Sequence, residues 1–116
     1  KRLVVIFQPH RYSRTKDLIE DFATSLSKSD VIILLPIYSA GEKAMPNVNS
    51  EMLVSLINEK NSDLPIFLAK NINAAKDLIK DKTDQDDLLI FMGAGNINQI
   101  SREILMQAQA NANQTK

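Results

Sequence analysis

The segment from Phe7 to Thr15 carries the side chains best suited to chemistry in this chain of 116 residues. It contains the only histidine, His10, and two arginines at a spacing of three, Arg11 and Arg14. A guanidinium binds a carboxylate or phosphate through two parallel, charge-assisted hydrogen bonds, and an imidazole titrates near neutral pH. The segment therefore predicts an anion-binding site, with an ordinary basic surface loop as the alternative.

The residues around this segment predict the elements that position it. Four apolar runs lack the polar alternation of half-exposed strands, which predicts strands buried on both faces. These runs are Leu3–Phe7, Val31–Leu35, Ile66–Leu68 and Leu88–Met92. Apolar residues at spacings of three and four predict a helix after each run. The resulting βα alternation predicts an α/β fold with a parallel sheet and right-handed crossovers, in which the eight polar residues from Gln8 to Thr15 form a strand-to-helix loop.

Polar residues mark where the predicted helices begin. An N-cap side chain accepts a hydrogen bond from the first turn of its helix. The expected caps are Thr15, Ser50, either Asn71 or Asn73, and Asn96.

All three glycines follow the carboxyl end of a predicted strand, where the backbone turns sharply or a ligand approaches closely. They are Gly41, Gly93 and Gly95. Because these ends meet at one edge of a parallel sheet, the loop after the first strand, the loop from Tyr38 to Glu42 and the turn from Gly93 should converge on one rim. Neither a dinucleotide fingerprint nor a GxxxxGK[ST] phosphate loop occurs in the chain.

Composition excludes several classes of function. The formal net charge is zero and charges are interspersed, which argues against a nucleic-acid partner. The chain has no cysteine, so disulfides and thiolate metal sites are excluded, and a reducing cytoplasm is compatible. No apolar stretch approaches the ~20 residues of a membrane span, and no signal peptide is visible. The length predicts one domain, over residues 1–106. The low apolar content of residues 107–116 predicts a frayed tail.

Three strings identify a family by resemblance. They are FQPHRYSRT from Phe7, YSAGE from Tyr38 and FMGAGNI from Phe91. In order and spacing they resemble the C-terminal domain of the Mur ligase family, in those members that join L-alanine to UDP-N-acetylmuramate. The first string differs in the sister ligases that add glutamate, a diamino acid or a dipeptide. Ser13 and Asn96 stand where threonine and serine, respectively, are common in the family.

The resemblance implies a fold and an activity. The fold is a three-layer, Rossmann-like domain with a mainly parallel sheet, expected here to lack the family's first strand and helix. The activity is that of a cytoplasmic, ATP- and Mg²⁺-dependent ligase of peptidoglycan synthesis, and hence of cell-wall biogenesis, cell shape and cell division. In the family the first domain holds the UDP sugar and the central domain holds ATP, so this chain alone is expected to be inactive.

The resemblance also implies which residues bind substrate. Arg11 and Arg14, together or singly, are the candidates for the carboxylate of L-alanine. His10 is expected to orient the substrate, with acceptance of a proton from the incoming ammonium as the alternative. The remaining candidates for substrate binding are Tyr12, Tyr38, Glu42, Gly93 and Gly95. No metal ligand and no ATP-binding residue is assigned within the chain.

Three other interpretations of the chain's function stay open. One is a Mur-type ligase that recycles a tripeptide. Another is a free-standing binding module of the flavodoxin or response-regulator type, although the acidic cluster and lysine placement of a phosphoacceptor receiver are missing. The third is an interaction domain without a ligand. A GKT-type phosphate loop in the upstream coding sequence would favour the ligase.

Overall fold

Strands and helices alternate along the chain, as the sequence predicts. The computed structural model describes the backbone of residues 1–93 and 97–114, and the side chains of these residues except 105 and 107–114. Within these ranges the elements are β1 (Leu3–Gln8), α1 (Tyr12–Leu26), β2 (Val31–Leu34), α2 (Ser50–Lys60), β3 (Ile66–Leu68), α3 (Ile72–Lys82), β4 (Leu88–Gly93) and α4 (Ile97–Gln114).

The four described strands form one parallel sheet in the order β3-β2-β1-β4. From β1 the chain adds β2 and β3 on one side, and β4 then pairs with the other side of β1. The direction of strand addition thus reverses between β1 and β4. Open α/β sheets bind ligands at the carboxyl ends of the strands beside such a reversal. The register pairs Gln8 with Gly93, so the loop after β1 and the turn after β4 begin side by side.

Apolar side chains fill both faces of the sheet. Val4 and Ile6 pack on one face with residues of α3 and α4. Val5 and Phe7 pack on the other face with residues of α1 and α2. Side chains that alternate along β1 therefore reach two separate core clusters, and the predicted three-layer α/β fold is confirmed.

The prediction that every strand is buried on both faces is right for β1 and β2 and wrong for β3 and β4. Leu68 is 43% exposed, Leu88 55% and Ile90 38%. Both strands lie at edges of the described sheet. Leu88 and Ile90 belong to neither core cluster, whereas Met92, which alternation places on the same face of β4, packs against the cluster formed with α1 and α2. The exposure of a strand depends on its place in the sheet, which an apolar run alone does not specify.

The predicted N-cap of α1 is wrong. The helix begins at Tyr12, and Thr15 lies in its first turn with its side chain buried. The Thr15 hydroxyl donates a hydrogen bond to the carbonyl of Arg11 at 2.7 Å. The Thr15 hydroxyl therefore donates to a backbone carbonyl that precedes it, whereas an N-cap side chain accepts from a backbone N–H that follows it.

The other predicted caps have mixed outcomes. Helix α2 begins at Ser50 and is capped by Asn49, whose Oδ1 accepts from the N–H of Met52 at 2.9 Å. Ser50 is buried, and its hydroxyl donates to the carbonyl of Leu35 at 2.7 Å. The cap of α3 is Asn71, one of the two residues predicted. The predicted cap Asn96 lies outside the described residues.

Helix α4 extends to Gln114, so the described backbone is helical past residue 106. Fraying of residues 107–116 is a dynamic property and stays a prediction. None of the described helices combines the length and the apolar composition that a membrane span requires.

Candidate functional site

The loop between β1 and α1 is shorter than the sequence predicts. It contains Pro9, His10 and Arg11, because β1 includes Gln8 and α1 begins at Tyr12. Arg11 has a φ of 67°, a left-handed value that is uncommon for a residue with a side chain. The chain reverses at this residue and enters the helix at once. The remaining candidates of this segment, Tyr12 and Arg14, therefore lie in the first turn of α1.

Backbone hydrogen bonds join this loop to the loop after β2. The N–H of Tyr38 donates to the carbonyl of Pro9 at 2.8 Å, and the N–H of Arg11 donates to the carbonyl of Tyr38 at 2.7 Å. The rings of His10 and Tyr38 stack, with centroids 5.7 Å apart and planes inclined by 12°. These two loops therefore lie together at the carboxyl edge of the sheet, as the parallel topology predicts.

Glu42 connects the loop after β2 to the first turn of α1. Its Oε1 accepts from the backbone N–H groups of Tyr12 at 2.7 Å and Ser13 at 3.1 Å, and its Oε2 accepts from the Ser13 hydroxyl at 2.5 Å. The Ser13 hydroxyl, the two N–H groups and the nearby Arg11 charge lower the pKa of Glu42. Arg11, the residue before α1, makes no side-chain cap, and the first turn contains no acidic residue. Glu42 thus caps this helix from 30 positions away.

A close backbone contact explains why a glycine is needed at position 93. Its φ is +128°, and an added Cβ would lie 2.3 Å from the carbonyl oxygen of Gln8. Gly41, with a φ of +91°, has open space around it and serves the turn before Glu42. Contact of Gly93 with substrate stays a prediction. Gly95 lies outside the described residues.

The predicted basic residues line one surface cleft. This cleft, of about 460 Å³, is lined by His10, Arg11, Ser13, Arg14, Asp17 and Leu18. It brings the imidazole and both arginines to one place, as predicted. Asp17 and Leu18 were missed by the sequence reasoning. They lie three and four residues after Arg14, a spacing that makes them neighbours of Arg14 on the surface of a helix. This helical spacing is the sequence signal that could have predicted their place beside Arg14.

The other aromatic candidates line different openings. Tyr38 lines a cleft of about 640 Å³ with Gln8 and Lys76. Gln8 is 5% exposed, and its Oε1 has no hydrogen-bond partner in the part of the chain that the structure describes. Tyr12 lines an apolar cleft of about 520 Å³ with Ile37, among others. The three basic candidates, Tyr38 and Tyr12 thus line three different clefts.

The part of the chain that the structure describes does not fit a magnesium site, and the sequence lacks a phosphate loop for ATP. Among the described residues no group of three His, Asp or Glu side chains is placed to hold a metal ion. The sequence contains no GxxxxGK[ST] phosphate loop. No step that uses ATP or Mg²⁺ is therefore assigned to side chains of this chain.

The open parallel sheet, with helices on both faces, defines a Rossmann-like α/β domain. No protein-family model matches the chain. The chain is 50% identical over 103 residues to the UDP-N-acetylmuramate–L-alanine ligase of a Prochlorococcus marinus strain. This alignment covers 89% of the chain and 22% of the relative. The chain is 44% identical over 113 residues to the ligase of the same name from Dictyoglomus turgidum, covering 97% of this chain and 24% of that relative. The chain is thus similar over about nine-tenths of its length or more to these UDP-N-acetylmuramate–L-alanine ligases, and it spans less than a quarter of their length.

Proposed function

We propose that this chain is the C-terminal domain of an ATP-dependent ligase that joins L-alanine to UDP-N-acetylmuramate in peptidoglycan synthesis. The names of its relatives support this activity. The observation that carries the proposal is the single cleft that holds His10, Arg11 and Arg14. On this proposal the enzyme acts in the cytoplasm, and the sites for ATP, Mg²⁺ and the UDP sugar lie in the other domains.

The cleft has the groups needed to hold a small amino acid. The guanidiniums of Arg11 and Arg14 suit the carboxylate. The carboxylate of Asp17 suits the ammonium, and the half-buried side chain of Leu18 offers apolar surface to the methyl group. Because both arginines and Asp17 are exposed, a second surface must close over the cleft to exclude water during acyl transfer.

His10 is suited to orient the substrate. Its ring stacks on Tyr38, and its backbone is bridged to that residue, so its orientation is held by the neighbouring loop. In the proposed reaction the neutral amine of L-alanine attacks the acyl phosphate carbonyl and phosphate leaves. Holding the amine near this carbonyl lowers the barrier by about 7 to 11 kcal/mol when the geometry is optimal. Acceptance of the ammonium proton by the imidazole is the alternative role.

Phosphate release by the full-length protein tests the proposal. We expect release that requires ATP, Mg²⁺, L-alanine and UDP-N-acetylmuramate together, and none from the 116-residue chain alone. Release with a tripeptide in place of L-alanine would identify a recycling ligase. No release with either L-alanine or the tripeptide would favour a binding module without ligase activity.

A further inference from the structure

The N-terminus of α1 is occupied by a carboxylate of the chain itself. The first N–H groups of a helix have no partner within the helix and attract anions. Here Glu42 accepts from the N–H groups of Tyr12 and Ser13 and from the Ser13 hydroxyl. An anionic ligand in the adjacent cleft is therefore directed to side chains, above all the guanidiniums of Arg11 and Arg14.

Both arginines depend on this first turn for their direction. Arg11 immediately precedes the helix, and Arg14 is its third residue. Arg11 has the left-handed φ of 67°, which persists only where surrounding contacts hold it. Its N–H donates to Tyr38, and its carbonyl accepts from the Thr15 N–H and hydroxyl. Glu42 holds the two N–H groups that follow Arg11, between the arginines.

We propose that Glu42 is a positioning residue, which aligns Arg11 and Arg14 by capping the turn that carries them. This role replaces the direct substrate contact that the family resemblance implies for Glu42. The inference rests on the proposed function, because it takes the ligand of the two arginines to be the carboxylate of L-alanine.

Steady-state kinetics of the full-length ligase test this role. In Glu42→Ala the Michaelis constant for L-alanine should rise about tenfold, the scale expected for loss of one hydrogen bond to a charged group. The constants for ATP and the UDP sugar should change less than about twofold, since this turn belongs to the amino-acid cleft. Glu42→Gln keeps one oxygen that accepts from the backbone N–H groups, and should therefore restore part of the L-alanine affinity.

Asn71→Ala is the matched control. It removes a side-chain cap from α3, on the opposite face of the sheet from α1. Its melting temperature should fall as in Glu42→Ala, but its constant for L-alanine should stay unchanged. If Glu42→Ala lowers the melting temperature and also leaves the constant for L-alanine unchanged, Glu42 is only a structural cap and the inference is wrong.

Hydrogen exchange separates this inference from the proposed function. In the full-length ligase, Glu42→Ala should speed amide exchange at Tyr12 and Ser13 about tenfold, with no change at Ala74. Unchanged exchange at Tyr12 and Ser13 overturns the inference even if turnover supports the proposed function. A wild-type enzyme without turnover dependent on L-alanine overturns the proposed function, and with it the positioning role.

Discussion

The ring of Tyr38 lies against the ring of His10, with 5.7 Å between their centroids and 12° between their planes. This stack adds a side-chain contact to the backbone hydrogen bonds that join the loop after β2 to the loop after β1. Tyr38 is 37% exposed, so packing into the core does not explain its position. The Tyr38 ring instead supports one face of the His10 imidazole.

Loss of the Tyr38 ring should therefore affect catalysis through His10. In the full-length ligase, Tyr38→Ala should lower kcat/KM for L-alanine by up to about tenfold, because an aromatic pair contributes roughly 0.5 to 1.5 kcal/mol. Tyr38→Phe keeps the stacked ring and should stay close to wild type. If the two variants lose activity equally, the phenolic hydroxyl matters and the stack does not.

The arginine pair should determine affinity for L-alanine. Arg11→Lys or Arg14→Lys keeps the charge but loses the planar, two-pronged contact. We expect kcat/KM to fall by an amount equivalent to about 1.5 to 3 kcal/mol of lost transition-state stabilisation, mainly through a higher Michaelis constant for L-alanine. Arg102→Lys, an equivalent change at an exposed position of α4, is the control. A uniform loss for all three substrates would indicate that the arginines support the loop or dock the domain.

Asp17 should recognise the other end of the amino acid. In Asp17→Asn the Michaelis constant for L-alanine should rise, because the amide lacks the charge that attracts the ammonium group. Asp21→Asn changes an exposed carboxylate one turn further along α1 and should leave this constant unchanged. Equal kinetics of the two variants and the wild type would remove Asp17 from the site.

Element types were predictable from the sequence, but the start of α1 was not. The apolar runs and helical spacing predict the order of strands and helices, because burial against a common core imposes those periods. Thr15 was predicted as the cap because caps are usually local. The actual cap, Glu42, comes from a different loop, so only the folded structure reveals it.

The placement of the candidate site residues was also predictable in part. The sequence predicts that His10, Arg11 and Arg14 converge, because they are neighbours at the end of one strand. It does not predict that Tyr12 and Tyr38 face other clefts, since the left-handed backbone at Arg11 and the course of the loop after β2 decide where each ring points. The edge positions of β3 and β4 likewise follow from strand order, which the sequence pattern left open.

The two glycines at the rim should differ in their tolerance of alanine. Gly93→Ala combines a positive φ with a Cβ 2.3 Å from the Gln8 carbonyl oxygen, so we expect a loss of about 3 kcal/mol or more. Gly41→Ala meets no atom within 4 Å and should cost only the backbone strain, about 1 to 2 kcal/mol. Urea denaturation of this chain measures both. Equal losses would indicate that the close approach of β4 to β1 relaxes at little cost.

At the opposite end of the sheet, Arg2 and Asp87 form a pair that should control stability in acid. The Arg2 guanidinium donates to both carboxylate oxygens of Asp87, from Nε at 3.0 Å and from Nη2 at 2.7 Å. The hydrogen bonds from Arg2 and from the backbone N–H of Asp84 lower the pKa of Asp87 from 3.8 to about 2. A lowered pKa means that the folded state favours the ionised form. The stabilisation is therefore complete above pH 3.8 and is lost as the pH falls towards about 2.

Asp87→Asn should accordingly be less stable than wild type at neutral pH, and the difference should shrink between pH 4 and pH 2, the interval set by the two pKa values. Its constant for L-alanine should not change, because Asp87 precedes β4 at the end of the sheet away from the rim. Asp86→Asn, at an exposed neighbouring position, is the control and should follow the wild-type acid profile. Urea midpoints measured against pH provide the test. A constant difference between Asp87→Asn and wild type across this interval would show that ionisation of Asp87 does not contribute to folding.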